Sequence, residues 1–186
     1  MTRKYITNSL TALVLLSILT VTPALANDIY IEQVGDTLDL DITQDGQNNV
    51  IGTSSTDVNL DGDSMTFAIT QTGTSNSIIA NIKGNSYTGA WAFTGDSNAV
   101  NLSCASGNGT KCETVTLNVT ATGDSNTFDF DIGDVADAAG SQVNFTVTGD
   151  GNVIKSAVDG KSTILTVAMN NSASSASGGA ASGLLS

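Results

Sequence analysis

The chain has 186 residues, with 18 acidic against 6 basic side chains and no histidine. That balance repels phosphate and excludes a nucleic-acid binder; the missing histidine removes imidazole acid–base chemistry and imidazole metal sites. Apolar residues make up 40% of the chain, enough for a core and too many for wholesale disorder.

Residues 1–26 come first. Arg3 and Lys4 form a basic start, Leu10 to Val21 is apolar but for Thr11, Ser17 and Thr20, and Ala24-Leu25-Ala26 is a small-x-small site. This is the layout of a secretory signal peptide. The apolar run falls short of the roughly 20 residues that span a bilayer, which argues against an anchor. The expectation is cleavage after Ala26, leaving a chain that starts at Asn27 with Lys83, Lys111, Lys155 and Lys161 against all 18 acids. No later segment is long enough to span a membrane, so the mature protein is expected to be secreted, extracellular or on the cell surface, and the layout suits a bacterial exporter.

Residues 27–171 carry a repeat. Glycine, two residues and asparagine recur at Gly46–Asn49, Gly73–Asn76, Gly95–Asn98, Gly123–Asn126 and Gly149–Asn152, with glycine spacings of 27, 22, 28 and 26. Four residues before each glycine stand Ile42, Ile69, Trp91, Val119 and Phe145; two after each asparagine stand Ile51, Ile78, Val100, Phe128 and Ile154. Six before the glycine are Leu40, Phe67, Gly89, Leu117 and Val143, and four after the asparagine are Thr53, Ala80, Leu102, Phe130 and Ser156. The apolar positions step by two, the strand period. Each repeat therefore reads as strand, tight arc, strand, with the glycine and asparagine supplying the positive φ of the arc.

A second, looser arc joins one repeat to the next. Nearly all variation in repeat length falls there, because the flanking strands and the G-x-x-N arc keep fixed offsets throughout. Ile29, Ile31 and Gln33 read as the closing half of a first rung, with Gly35 in its second arc. Leu165, Val167 and Met169 read as a sixth rung, with Asn171 where the glycine would stand. Rungs of this kind bury their apolar faces only by stacking. The fold class is thus all-β, a β-solenoid of about five to six strand–arc–strand rungs, roughly 25–30 Å tall at strand spacing. A β-sandwich is the competing fold.

The segments Ile42-Thr43-Gln44-Asp45-Gly46-Gln47-Asn48-Asn49 and Ile69-Thr70-Gln71-Thr72-Gly73-Thr74-Ser75-Asn76 resemble the curlin repeat of bacterial curli subunits, where Q-x-G-x-x-N joins two strands. The resemblance implies a solenoid, secretion across the outer membrane, and homopolymerisation by end-to-end rung stacking into extracellular amyloid fibres for biofilm and adhesion, with secretion machinery and a nucleator subunit as partners. The assembly ladder it implies comprises Gln33, Gln44 and Gln71 with the arc glycines and asparagines. The glutamine becomes Phe93, Ala121 and Val147 in later repeats, and the family's second-strand glutamine is replaced by Ser55, Ile82, Cys104, Ile132 and Val158.

Cys104 and Cys112 bracket a short loop, and in an oxidising compartment they are expected to pair as a disulfide. Asp129, Asp131, Asp134 and Asp137, and Asp61 and Asp63, are oxygen-rich clusters of the kind that hold Ca²⁺. Alternation with Phe128 and Phe130 instead reads Asp129 and Asp131 as facing water, and the nonapeptide G-G-x-G-x-D is absent. With no nucleophile elbow, phosphate loop or histidine, no catalytic residue, metal ligand or cofactor is assigned, and the chain reads as non-enzymatic.

An alternative of another class rests on outward threonines. Thr43, Thr70, Ala92, Thr120 and Thr146 stand three before the glycines, and Asp45, Thr72, Thr94, Thr122 and Thr148 one before. Such rows resemble the ice-binding face of some antifreeze proteins, which makes a monomeric binding module for ice or polysaccharide the second expectation. Residues 172–186 are Ser/Ala/Gly-rich and are expected to form a disordered tail.

Overall fold

Runs that alternate apolar and polar side chains form strands that bury one face. The computed structural model describes residues 27–46, 49–52, 58–104, 112–133, 138–170 and 175–185. The expected export segment 1–26 and Asn171 lie outside them. In chain order the strands are β1 (Asp28–Ile29), β2 (Glu32–Val34), β3 (Asp39–Asp45), β4 (Val50–Ile51), β5 (Val58–Asp61), β6 (Thr66–Thr72), β7 (Ser77–Lys83), β8 (Thr88–Thr94), β9 (Ala99–Cys104), β10 (Thr116–Thr122), β11 (Thr127–Ile132), β12 (Gln142–Thr148), β13 (Val153–Asn170) and β14 (Ser175–Leu185).

Every pairing among them is parallel. A front wall runs β3-β6-β8-β10-β12 and ends on the second half of β13. A back wall runs β1-β4-β7-β9-β11 and ends on the first half of β13, with β2 and β5 stacked beside the far half of β7. This is a β-solenoid, and the all-parallel pairing rejects the antiparallel sandwich. The fixed offsets of the sequence are vertical columns: Ile42, Ile69, Trp91, Val119, Phe145 and Val167 stack in register on the front wall. Ile51, Ile78, Val100, Phe128 and Ile154 do so on the back wall.

The two walls enclose one core. Aromatic rings zigzag between them, with centroids 6.0 Å apart for Phe67–Trp91, 5.8 Å for Trp91–Phe130 and 5.0 Å for Phe130–Phe145. Each such pair contributes about 0.5–1.5 kcal/mol beyond its buried area. Trp91 brings a buried N–H into this core, which donates to the Phe67 carbonyl and the Tyr87 hydroxyl, both at 3.1 Å. The Tyr87 hydroxyl in turn donates to the Phe67 carbonyl at 3.2 Å. Gly89, the one gap in its apolar column, makes room for this trio: a Cβ there would stand 2.6 Å from both the Tyr87 hydroxyl and Leu117 Cδ1.

The second arc is not loose. Gly35-Asp36-Thr37, Gly62-Asp63-Ser64 and Gly84-Asn85-Ser86 repeat the backbone of the first arc, with Gly at φ above +100° in Gly35 and Gly84 and the third residue at 65°, 60° and 58°. The coil is therefore two similar half-turns, marked by the evenly spaced glycines Gly62, Gly73, Gly84 and Gly95. The spacing of 22 is the bare coil. In the longer repeats the extra residues fall between Gly52 and Val58, Cys104 and Cys112, and Gly133 and Ala138, ahead of the arc. One consequence corrects the first repeat: Val58 and Leu60, not Thr53 and Ser55, stand opposite Ala80 and Ile82. Thr53 and Ser55 themselves lie outside the described residues.

The tail differs from the disordered end its composition predicts. Ser175–Leu185 forms β14, parallel to the first half of β13 from Val153↔Ser175 to Val158↔Ala180 and, after register shifts past Val158 and Lys161, to Ile164↔Leu184 and Leu165↔Leu185 at the start of its second half. Main-chain pairing needs no large side chain, which is why a Ser/Ala/Gly segment can extend the back wall.

Gly95 shows why the arcs need glycine. Its φ is +133°, and the place of a Cβ is filled by the Gly73 carbonyl oxygen of the coil before. Gly95→Ala is expected to lower the urea midpoint by the equivalent of more than about 4 kcal/mol, among the largest single-residue losses. Burial pushes the Tyr87 phenol far above its ordinary value, opposed only by the Trp91 hydrogen bond. The native state thus holds this proton where the unfolded chain releases it, so the contribution is intact below about pH 10 and is lost as pH rises beyond it. Alkaline unfolding should shift to higher pH in Tyr87→Phe relative to its own neutral-pH stability, and ultraviolet absorbance should show no Tyr87 phenolate before unfolding.

Candidate functional site

The arcs carry the side-chain ladders. Gly73, Gly95, Gly123 and Gly149 stack directly, each of the last three closed against the carbonyl oxygen of the glycine before it; Gly46 begins the column, its N–H donating to the Thr72 carbonyl at 3.0 Å. The positive φ of the first arc falls on the glycine and on the third residue, Ser75, Ser97 and Ser125 at 61°, 61° and 59°. The asparagines have no such φ. Their role is different: Asn49, Asn76, Asn98, Asn126 and Asn152 are all buried, and each side chain bonds to the neighbouring coil.

The Asn49 N–H donates to Asn76 Oδ1 at 3.1 Å, the Asn76 N–H to Asn98 Oδ1 at 2.9 Å, the Asn98 N–H to Asn126 Oδ1 at 2.8 Å, and the Asn126 N–H to Asn152 Oδ1 at 2.8 Å. Asn98 Nδ2 also closes its own arc on the Gly95 carbonyl at 2.9 Å. Asn27, which the sequence marks only as the first residue after cleavage, opens this column by donating from Nδ2 to Asn49 Oδ1 at 2.6 Å. The signal is present in the numbering: Asn27 precedes Asn49 by one bare coil.

The glutamines divide between the walls. Gln71 Nε2 donates to Gln44 Oε1 at 2.6 Å, and Gln44 Nε2 to the Asn27 carbonyl at 2.7 Å, so these two form a ladder. Gln33 is not part of it. It sits on β2 in the back wall, opposite Leu60, and donates to the Gly35 carbonyl at 2.7 Å. The ladder ends where Gln71 meets Phe93, and Gln71 Oε1 is buried without a partner.

An acidic ladder has no counterpart in the sequence reading. Asp96 Oδ1 accepts the Asp124 N–H at 2.7 Å and Asp124 Oδ1 accepts the Asp150 N–H at 2.6 Å. In the second arc Asp36 accepts from the Asp63 N–H at 2.8 Å, and Asp63 accepts from the Asn85 N–H at 2.6 Å. Each carboxylate is thus an acceptor for the coil above it. Stacked like charges on an exposed arc repel weakly in water and less in salt. Asp129 faces solvent, Asp131 is half-buried, and Asp134 and Asp137 lie outside the described residues. Among the described residues no group of three or more Cys, Asp or Glu stands together as a metal site would require. No helix there is long and apolar enough to cross a membrane. Cys104 and Cys112 are bonded, buried and 5.9 Å apart at Cα.

The ends differ from the middle. Phe67 and Ile69 are fully buried, whereas Leu38, Leu40 and Ile42 in the first coil and Val167 and Met169 in the last are only partly covered. A recess of about 390 Å³ opens beneath Gln44, lined by Asn27, Ile29, Thr43 and Asp45. The first coil is also acidic, with Glu32, Asp36, Asp39, Asp41 and Asp45, while the last carries Lys155 and Lys161. The chain matches no protein-family model, no curated protein and no solved structure.

The asparagine column predicts a sharp asymmetry. Asn98→Leu strands the buried Asn76 N–H and should lower stability by about 1–3 kcal/mol in urea unfolding. Asp124→Asn keeps the acceptor and removes a like charge, and should leave the midpoint unchanged or raise it, most visibly at low salt.

Proposed function

We propose that this protein is a secreted, non-catalytic structural subunit that polymerises by end-to-end stacking of its coils into curli-like extracellular fibres, serving a biofilm matrix or adhesion. The observation that carries this reading is a core left partly open at the first coil and, on the front wall, at Val167 and Met169 of the last. Among the described residues β3 is hydrogen-bonded on one side only, to β6, and Thr166–Asn170 only to β12. Such edges invite further strands. The partly covered residues at the two ends belong to the same columns: Ile42 begins the column that Val167 ends. On the front wall the last coil of one copy therefore offers the register that the first coil of another requires, while on the back wall β14 would have to give way; the asparagine and glutamine ladders are the kind that continue through cross-β assemblies.

Charge supports a polar arrangement. Two first coils would bring two acidic ends together, whereas a first coil on a last coil brings acids to a coil with Lys155 and Lys161 against the single carboxylate of Asp159. The net charge of -12 opposes every contact at low salt. The Q-x-G-x-x-N resemblance to curlin repeats and the signal-like segment 1–26 point the same way.

The test is fibre formation by the purified chain at micromolar concentration, followed by thioflavin fluorescence, electron microscopy and fibre diffraction. Seedable fibres with cross-β reflections are expected, forming faster as salt rises and the Debye length falls from about 30 Å at 0.01 M to about 8 Å at 0.15 M. Ile42→Asp and Val167→Asp should retain cooperative unfolding and lose fibres; Ile69→Asp, in the sealed core, should lose both. A chain that stays monomeric, β-rich and unseedable at every salt concentration overturns the reading.

A further inference from the structure

We propose that the outward face of the front wall is a binding face for ice, an ordered water lattice, independently of whether the chain polymerises. The face is the part of that wall built by β6, β8, β10, β12 and the second half of β13; it stops short of β3, whose exposed Asp39, Asp41 and Asp45 stand in register with Thr66, Ala68 and Thr72. These strands pair in unbroken register, residue for residue, with no bulge. In the sequence the extra residues of the longer repeats all fall after the back-wall strands and ahead of the second arc, outside the strands that build the face.

Its chemistry is selective. Thr72, Thr94, Thr122 and Thr148 form one row across four strands, each exposed. Thr70, Thr120 and Thr146 lie in the next row, broken by Ala92, and Thr66, Thr88 and Thr116 form a third at the opposite edge. Side chains therefore repeat at about 4.8 Å between strands and about 6.6 Å along them, the strand spacing and two residue rises. Each threonine presents a hydroxyl, one donor and two acceptor lone pairs, beside a methyl group. A lattice of this kind can fix the positions of bound waters through hydroxyls while the methyls exclude disordered ones.

What is missing from the face decides the ligand. None of its outward positions from Thr66 to Asn170 carries a charge, in a chain with 18 acids. Charges instead occupy the first coil, the arcs and the back wall, where Lys83, Asp129 and Lys155 sit. A charged surface orients water about each ion and spoils a regular lattice; a partner of opposite charge has nothing here to hold. No aromatic ring is exposed on the face either: Phe67, Trp91, Phe93 and Phe145 on the same strands all turn inward and are buried. The stacking platform that a sugar ring uses is absent, which favours ice over a polysaccharide.

The test uses the full-length chain, taken as the monomeric fraction from size exclusion so that fibre formation plays no part. Inhibition of ice recrystallisation and faceted crystal growth are expected. Thr120→Tyr, at the centre of the face, should abolish both while the circular dichroism spectrum and urea midpoint stay unchanged, because tyrosine suits an exposed strand position. Asn101→Tyr, the same change on the back wall, should keep full activity. Absence of ice activity in the parent chain, equal loss in both variants, or no loss in Thr120→Tyr overturns the proposal. So does sedimentation with crystalline cellulose or chitin without any effect on ice, which would assign the face to a glycan.

Discussion

The structure depends on one close approach: the carbonyl oxygen of an arc glycine in one coil occupies the space where the next coil's arc glycine would carry a side chain. That contact brings successive arcs to strand spacing at the corner, where the backbone must turn through most of its direction change. The third arc residue then accepts a left-handed φ, which costs a non-glycine residue roughly 1–2 kcal/mol. Inter-coil bonds from those same residues offset the strain, as in Ser75 N–H to the Asp96 carbonyl at 2.9 Å and Ser97 N–H to the Asp124 carbonyl at 2.9 Å. In two of the second arcs Cys112 and Ala138 stand where the others carry glycine.

With the corners fixed, register follows, and register turns every side chain into part of a column. Two sets of ladders point in opposite senses. An asparagine oxygen accepts from the coil before it, and an aspartate oxygen of the outer arc accepts from the coil after it. Neighbouring coils are thereby tied in both directions by atoms that the main-chain ladder leaves over. The aromatic zigzag does the same inside the core, since Phe130 lies between Trp91 and Phe145 of different coils.

Much of this is legible in the sequence because parallel in-register stacking copies sequence offsets into space. The positions flanking the G-x-x-N arcs can be read as columns for that reason alone. The half-turn stays hidden, because the inserted segments lengthen most of the glycine spacings and because Cys112 and Ala138 break the glycine series. Gln33 is misplaced for a related reason: it stands two before a glycine, as Gln44 and Gln71 do, but that glycine belongs to the other arc. The asparagines suggest backbone conformation when their role is hydrogen bonding across coils, since both are consistent with asparagine in a turn. β14 is invisible because strand pairing through the main chain leaves no mark in a segment of small side chains.

The two walls do not have the same number of storeys. The front wall reaches its sixth level with the second half of β13, while β14 gives the back wall a seventh and touches the front wall only where Leu184 and Leu185 stand opposite Ile164 and Leu165. A column that is to continue seamlessly into another copy must present equal numbers on both sides, because the incoming chain also begins on the back wall, with β1 and β2. The slot those strands would take is the one β14 fills. The end at β13 therefore already holds a strand of its own chain, joined through two register shifts to the strand beneath, and a second copy stacked there in register would have to displace it.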